Sequence, residues 1–265
     1  MALLIAINLV SIFGFATFGL HPQLLAQFPW APPIFAYSYP LFAQLQIALG
    51  FAIMVRECQK AMGFSWIKLF LAAAIISFTM EYLGTTYGVP FGKYAYTSLL
   101  GWKIAGQVPV WIPLSWFFMS LPSHIIADQL LGKWSGRYAR IALGSFLLLT
   151  WDFTLDPAMS HLTPFWIWET SGVFFLQMPV KNLLGWFLTG CLILSVYEVL
   201  GLRATARWNQ NQFPLKFYAV NLLLPFGLSI AGELWLSILA SMVVYAACIG
   251  LANVTGGVRN FRAAR

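Results

Sequence analysis

Apolar residues run along this chain in stretches of about 20, the length that crosses a bilayer as a helix, and short polar segments between them gather most of the charge. Eight stretches stand out, at roughly 2–20, 38–55, 69–87, 110–131, 141–157, 180–200, 217–232 and 234–254. The last two form one apolar run too long for a single crossing, and Gly232-Glu233 offers a tight turn between them. The pattern predicts an all-α, polytopic membrane helix bundle, one transmembrane domain over residues 1–265.

Charge placement gives the expected topology. Arg56, Lys60 and Lys68 follow the second stretch; Lys133, Arg137 and Arg140 the fourth; Arg203, Arg207 and Lys216 the sixth; Arg259, Arg262 and Arg265 the eighth. An even number of crossings puts these twelve of the fifteen basic residues on one side and leaves Lys93, Lys103 and Lys181 for the other. Basic loops mark the cytoplasmic face, so both termini are expected in the cytoplasm. No charge precedes Arg56. The opening stretch lacks a basic n-region and a small-residue cleavage site, and is expected to be a retained first span.

Composition agrees, with 60% hydrophobic and 9% charged residues where soluble domains carry about 25% charge. The net charge of +7 does not point to nucleic acid, because the basic residues form no stripe. Cys58, Cys191 and Cys248 are scattered among apolar neighbours and show no metal-ligand or disulfide spacing. Neither a dinucleotide nor a phosphate loop occurs, nor a Gly-x-Ser-x-Gly elbow.

The two long outer loops are dense in Trp, Tyr, Gly and Pro, at Gly88–Tyr96 and Phe165–Gly172. Interfacial rings gather at membrane surfaces in any case. The turn-forming Gly and Pro among them predict folded loops over a cavity. An internal repeat is also suggested: Pro109-Val110, Leu114 and Trp116-Phe117 recur as Pro179-Val180, Leu184 and Trp186-Phe187, with Glu81 upstream of the first block and Asp152 upstream of the second. Spans three and four would then repeat as five and six in parallel, bringing the acids face to face. Coincidence in an apolar, low-complexity sequence is the competing explanation.

Charges in mid-membrane cost about 2.5–3.5 kcal/mol each on the lenient insertion scale and mark functional sites. At 1.5 Å per residue, Glu81 and Asp152 both lie about 18 Å from the cytoplasmic ends of their helices. Asp156 follows Asp152 at i+4 on the same face, and His124 and Asp128 share that spacing in span four. Glu198 is expected to reach toward Arg203, and Glu57 and Glu233 belong to loops. The plainer explanation, that the buried acids pair with polar neighbours to tie the bundle together, stands beside the functional one. No paired Glu-x-x-His of the di-iron type is present, and His161 lies beyond its helix.

On these residues the sequence resembles a known family. Glu81-x-x-Gly84 leading into Gly88-Val89-Pro90-Phe91-Gly92-x-Tyr94-x-Tyr96, then Val108-Pro109, Pro113 and Trp116, is similar to the membrane carotenoid 1′,2′-hydratases; so are Asp152-x-x-x-Asp156-Pro157, Trp166-x-Trp168, Gly172, Pro179-x-x-Asn182 and Gly185-Trp186. The family includes hydratases acting on γ-carotene and on C50 carotenoids. Phe174–Pro179 departs from the usual Tyr/Phe-Gly-Val-Pro, so end-group specificity is not carried over. The resemblance implies a cofactor-independent addition of water across a terminal C1′=C2′ bond. A carboxyl group among aromatic rings stays protonated and can donate, rings stabilise a tertiary cation, and a second carboxylate activates water. It implies Asp152, Glu81 and Asp156 as catalytic groups, and Tyr82, Tyr94, Tyr96, Trp116, His124, Trp166, Trp168 and Asn182 as substrate-binding, with no metal. The implied partners are a carotenoid from the lipid phase, membrane lipids and a downstream carotenoid glycosyltransferase. A lipid or isoprenoid transporter, a carotenoid cyclase or isomerase using the same acids, and a non-catalytic scaffold remain the alternatives.

Overall fold

The computed structural model describes residues 1–131 and 136–254; Lys133, Arg259, Arg262 and Arg265 lie outside the described residues. Long helices cover each predicted stretch: α1 (Ala2–Gly14), α3 (Ala31–Met62), α4 (Trp66–Tyr87), α5 (Trp111–Leu131), α6 (Arg137–Asp156), α7 (Val180–Val199), α9 (Phe213–Ala231) and α10 (Trp235–Val254). Two short helices, α2 (Pro22–Leu25) and α8 (Ala206–Asn211), lie in connecting segments. The breaks fall where the backbone demands them. Gly63 at φ +58° separates α3 from α4, Gly88 at φ +73° ends α4, and Glu233 at φ +57° makes the α9–α10 turn.

Among the described residues, four helical segments are long and apolar enough to cross a membrane: Ala2–Gly19, Ala31–Tyr87, Val180–Val199 and Phe213–Ala231. The second is 57 residues long and contains both α3 and α4. The helices α5 and α6 are not among them, and their positions explain why. α5 packs against α3, α4, α6, α7 and α9, while α6 packs against α5, α7, α9 and α10. Surrounded by protein, they need no apolar perimeter, and their buried positions include Ser120, Ser123, His124, Thr150, Asp152, Thr154 and Asp156.

Among the described residues, ion pairs gather at the two ends of the bundle. At one end Arg140 grips Glu198 through Nε and Nη2, at 2.7 and 2.8 Å. Arg203 adds a contact to Glu198 at 2.9 Å, and Arg207 pairs with Glu57 at 3.0 Å. Glu198 therefore reaches Arg203 as expected, but from within the bundle rather than from its rim. At the other end Lys93 pairs with Glu169 at 3.5 Å.

The bundle is not purely helical. Short strands β1 (Tyr94–Tyr96), β2 (Lys103–Ile104), β3 (Val108–Pro109), β4 (Trp166–Trp168), β5 (Phe174–Phe175) and β6 (Met178–Pro179) occupy the two long loops. β1 pairs with β4 antiparallel, in the register Tyr94↔Trp168, Ala95↔Ile167 and Tyr96↔Trp166. The β2–β3 and β5–β6 hairpins lead into α5 and α7. The Phe174–Pro179 segment that departs from the family pattern is the β5–β6 hairpin, and Leu176 and Gln177 at its tip both take positive φ.

Candidate active site

Three loop features hold the site together. The β1–β4 ladder places four aromatic rings side by side: Tyr94 lies 4.9 Å from Trp168 between ring centroids, and Tyr96 lies 6.0 Å from Trp166. Phe91, just before β1, is wedged between α4 and α7, where glycine leaves room. A Cβ on Gly84 would approach Phe91 to 2.8 Å and Tyr94 to 3.0 Å, and a Cβ on Gly185 would collide with the Phe91 ring. Finally, α6 runs into a wide π-helical turn, Pro157–Leu162, a distortion that often accompanies functional sites. It brings the Ser160 hydroxyl within 2.8 Å of Asp156 Oδ1.

Under this roof the acids face one cavity of about 80 Å³. Glu81, Asp152 and Asp156 line it together with Tyr94, Tyr96, Trp116, Trp166, Trp168 and Asn182. Nine of the eleven predicted site residues are thus brought to one place. Tyr82 is not: its ring packs on Phe78 along α4. His124 is also absent from the cavity wall, with its Nε2 3.4 Å from Glu198 Oε1. Asp128, its i+4 partner, accepts the Ala204 backbone N–H at 3.3 Å, so that pair joins the charge cluster at the bundle's end. Gln46, Trp151, Trp186 and Asn221 line the cavity without having been predicted to. Their signals were present in the sequence: two amides inside apolar stretches, a Trp beside Asp152, and Trp186 as the repeat partner of Trp116.

The three carboxyl groups differ in how their oxygens are satisfied. Glu81 Oε2 accepts from the Tyr94 and Tyr96 hydroxyls, the latter at 2.7 Å, and Oε1 accepts from Trp116 Nε1–H at 2.9 Å. Asp156 Oδ1 accepts from Ser160, Trp166 and Trp168, the two indoles at 3.2 and 3.1 Å. The Asn182 amide donates to Asp156 Oδ2 and Asp152 Oδ2, each at 2.8 Å, and so bridges the aspartates. Asp152 is fully buried, and its Oδ1 meets no protein donor. A bare carboxylate oxygen out of water is costly, so this atom is the natural place for a proton.

Two indoles of the cavity wall stack directly on each other. Trp116 and Trp186 are 4.3 Å apart and nearly parallel, with Trp151 edge-on to Trp186 at 5.8 Å. Such faces stabilise a cation by about 2 kcal/mol or more when water is excluded. The arrangement therefore sets three buried carboxyl groups beside indole faces able to stabilise a cation.

The profile of the family described as carotenoid biosynthesis protein matches residues 42–248. The chain belongs to that family. The match agrees with the resemblance read from the motifs and contains every residue of the acid cavity. Over 183 residues the chain is also 28% identical to the bisanhydrobacterioruberin hydratase of Haloarcula japonica, covering 62% of this chain. The chain spans 61% of that relative's length. No solved structure matches the chain. As a member of a carotenoid biosynthesis family with apolar helices of spanning length, it is a membrane protein.

The tight seat of Phe91 gives a first test of the site. Gly185→Ala is expected to push Phe91 and β1 away from Glu81. Misplacement on the scale of 1 Å can cost about a hundred-fold in rate, so even partial relaxation should lower product formation by about ten-fold or more. Product per unit of folded protein, compared with Gly250→Ala, whose Cβ would meet nothing within 4 Å, checks this.

Proposed function

We propose that this protein is a carotenoid 1′,2′-hydratase and that Asp152 is its proton donor. The observation that carries this reading is the contrast among the three acids: Glu81 and Asp156 have donors on both oxygens, whereas Asp152 Oδ1 has none. The Asp152 proton adds to C2′ of the terminal alkene, leaving a tertiary cation at C1′ against the indole faces. Water held by Asp156 attacks C1′ and gives up a proton to that carboxylate. Asp156 then hands that proton back to Asp152, one turn away on the same helix, while the Asn182 amide, which donates to both, holds the two carboxyl groups in place. One water is consumed and no electrons are transferred. Glu81 remains an anion that fixes Tyr94, Tyr96 and Trp116 and balances the passing positive charge.

The same reading takes all eight long helices as crossings with both termini in the cytoplasm, and takes α4–β1–α5 and α6–β4–α7 as two copies of one unit. Two contacts support the copies. The β1–β4 register is symmetric about Ala95↔Ile167, and the equivalent residues Trp116 and Trp186 stack on each other. The acids differ between the copies: Glu81 is held by Tyr94 and Tyr96 of its own strand, whereas Trp166 and Trp168 hold Asp156, one turn beyond Asp152, the residue equivalent to Glu81.

Expression in a host that makes lycopene or γ-carotene tests the function. The expected pigment has gained the mass of one water. Unchanged pigment, with the protein present in the membrane, would reject the hydratase reading and favour transport. A rearranged pigment of unchanged mass would favour a cyclase or isomerase.

A further inference from the structure

Beside the acid cavity lies a second and larger hollow of about 410 Å³, between α1 and the first half of α3. Its wall includes Gly14, Phe15, Trp30, Ile34, Phe35 and Tyr39. Three residues, Ala43, Met159 and Leu224, line both spaces, so the two are separated by no more than their side chains. The two serines in its wall donate to carbonyls of their own helices, Ser11 to Ile7 at 2.8 Å and Ser38 to Phe35 at 3.2 Å. With both serine hydroxyls satisfied and the Tyr39 hydroxyl turned to Thr163, the hollow offers an occupant mostly hydrocarbon and ring surface. Trp30 and Phe28 in the wall are 64% and 52% exposed, which opens it to the outside of the bundle, where lipid would lie.

We infer that this chamber is the binding site for the polyene chain of the substrate, and that a carotenoid enters the enzyme sideways from the bilayer between α1 and α3. The inference rests on the hydratase reading for the identity of the reacting end. The acid cavity is about five times smaller than the chamber, which suits it to the terminal dimethyl alkene, while the rigid chain needs a long dry passage ending at that point. The shared wall supplies the passage. Ala43, Met159 and Leu224 then stand where the chain meets the reacting end.

Gly14 makes the chamber testable. Its backbone is helical at φ −60°, and a Cβ there would meet nothing within 4 Å. Gly14→Trp starts from an unobstructed Cβ and should project into the chamber, and Ser38→Phe fills it from the opposite wall. Two measurements apply to detergent-purified protein. The first is the lycopene retained after purification from a producing host, read by visible absorbance. The second is hydration of lycopene against hydration of geranylacetone, a short molecule with the same terminal alkene. Blocking should lower retention and lycopene hydration by about ten-fold, roughly 1.4 kcal/mol, while geranylacetone hydration stays near wild type. Equal lycopene handling by wild type and both blocked variants would overturn the inference, as would an acyl lipid occupying the chamber alongside undiminished carotenoid retention. A wild-type protein that hydrates neither substrate defeats the hydratase reading, and in that case the retention measurement still decides the chamber.

Discussion

Asp152→Asn is expected to reach the membrane in normal amounts and to form less than about 1% of the wild-type product, since a positioned general acid contributes roughly 10²–10⁴ in rate. The substitution keeps the side-chain shape and an oxygen for the Asn182 amide at 2.8 Å, so the aspartate–asparagine bridge survives. What it removes is the acidic proton at the oxygen that has no protein donor. Asp156→Asn should be milder, because that residue orients water without protonating the alkene. Pigment extracted from a lycopene-producing host, normalised to protein by immunoblot, separates the two variants. Equal loss in both would move the donor role from Asp152 to the pair as a unit.

The second large effect is on stability. Glu81→Leu should strand the Tyr94 and Tyr96 hydroxyls and the Trp116 indole N–H, all of them buried. Each unsatisfied buried donor costs about 1–3 kcal/mol, so the variant is expected to lose about 3 kcal/mol or more and to melt markedly lower in detergent. Glu81→Gln keeps an acceptor oxygen for the two tyrosines but turns an N–H donor toward the Trp116 indole, so it should lose about 1–3 kcal/mol, less than Glu81→Leu, and form less product because the balancing negative charge is gone. Similar melting for Glu81→Leu and the wild type would show that the carboxylate is not the post on which the aromatic cap stands.

Much of this architecture could be read from the sequence, for reasons specific to each element. The outer helices announce themselves because lipid demands a continuous apolar perimeter, as in Ala2–Gly19 and Phe213–Ala231. α5 and α6 stand out less by hydropathy, but costly polar groups inside their apolar stretches, His124 in α5 and Asp152 and Asp156 in α6, mark them as inner helices. Glu81, Asp152 and Asp156 were legible for the same reason. His124 was misread because its i+4 spacing with Asp128 says only that the two share a helix face. That face turns toward Glu198 and the loop after α7, which no local pattern reveals. The β1–β4 pairing joins residues 70 or more positions apart on strands of three residues, too short to carry an alternating pattern. The chamber lies between two apolar helices, α1 and α3, and apolar residues read the same whether they face lipid, protein or a cavity.

The central claim is that a carboxyl proton and a water molecule add across one isolated alkene. Incubating the purified protein with lycopene in oxygen-18 water, and separately in deuterium oxide, tests it most directly. The account predicts a product carrying one oxygen-18 atom at C1′ and, in deuterium oxide, one carbon-bound deuterium at C2′, with neither label incorporated by Asp152→Asn. Product whose new oxygen comes from dioxygen rather than water, or hydroxylation at C1′ without a deuterium at C2′, would contradict it.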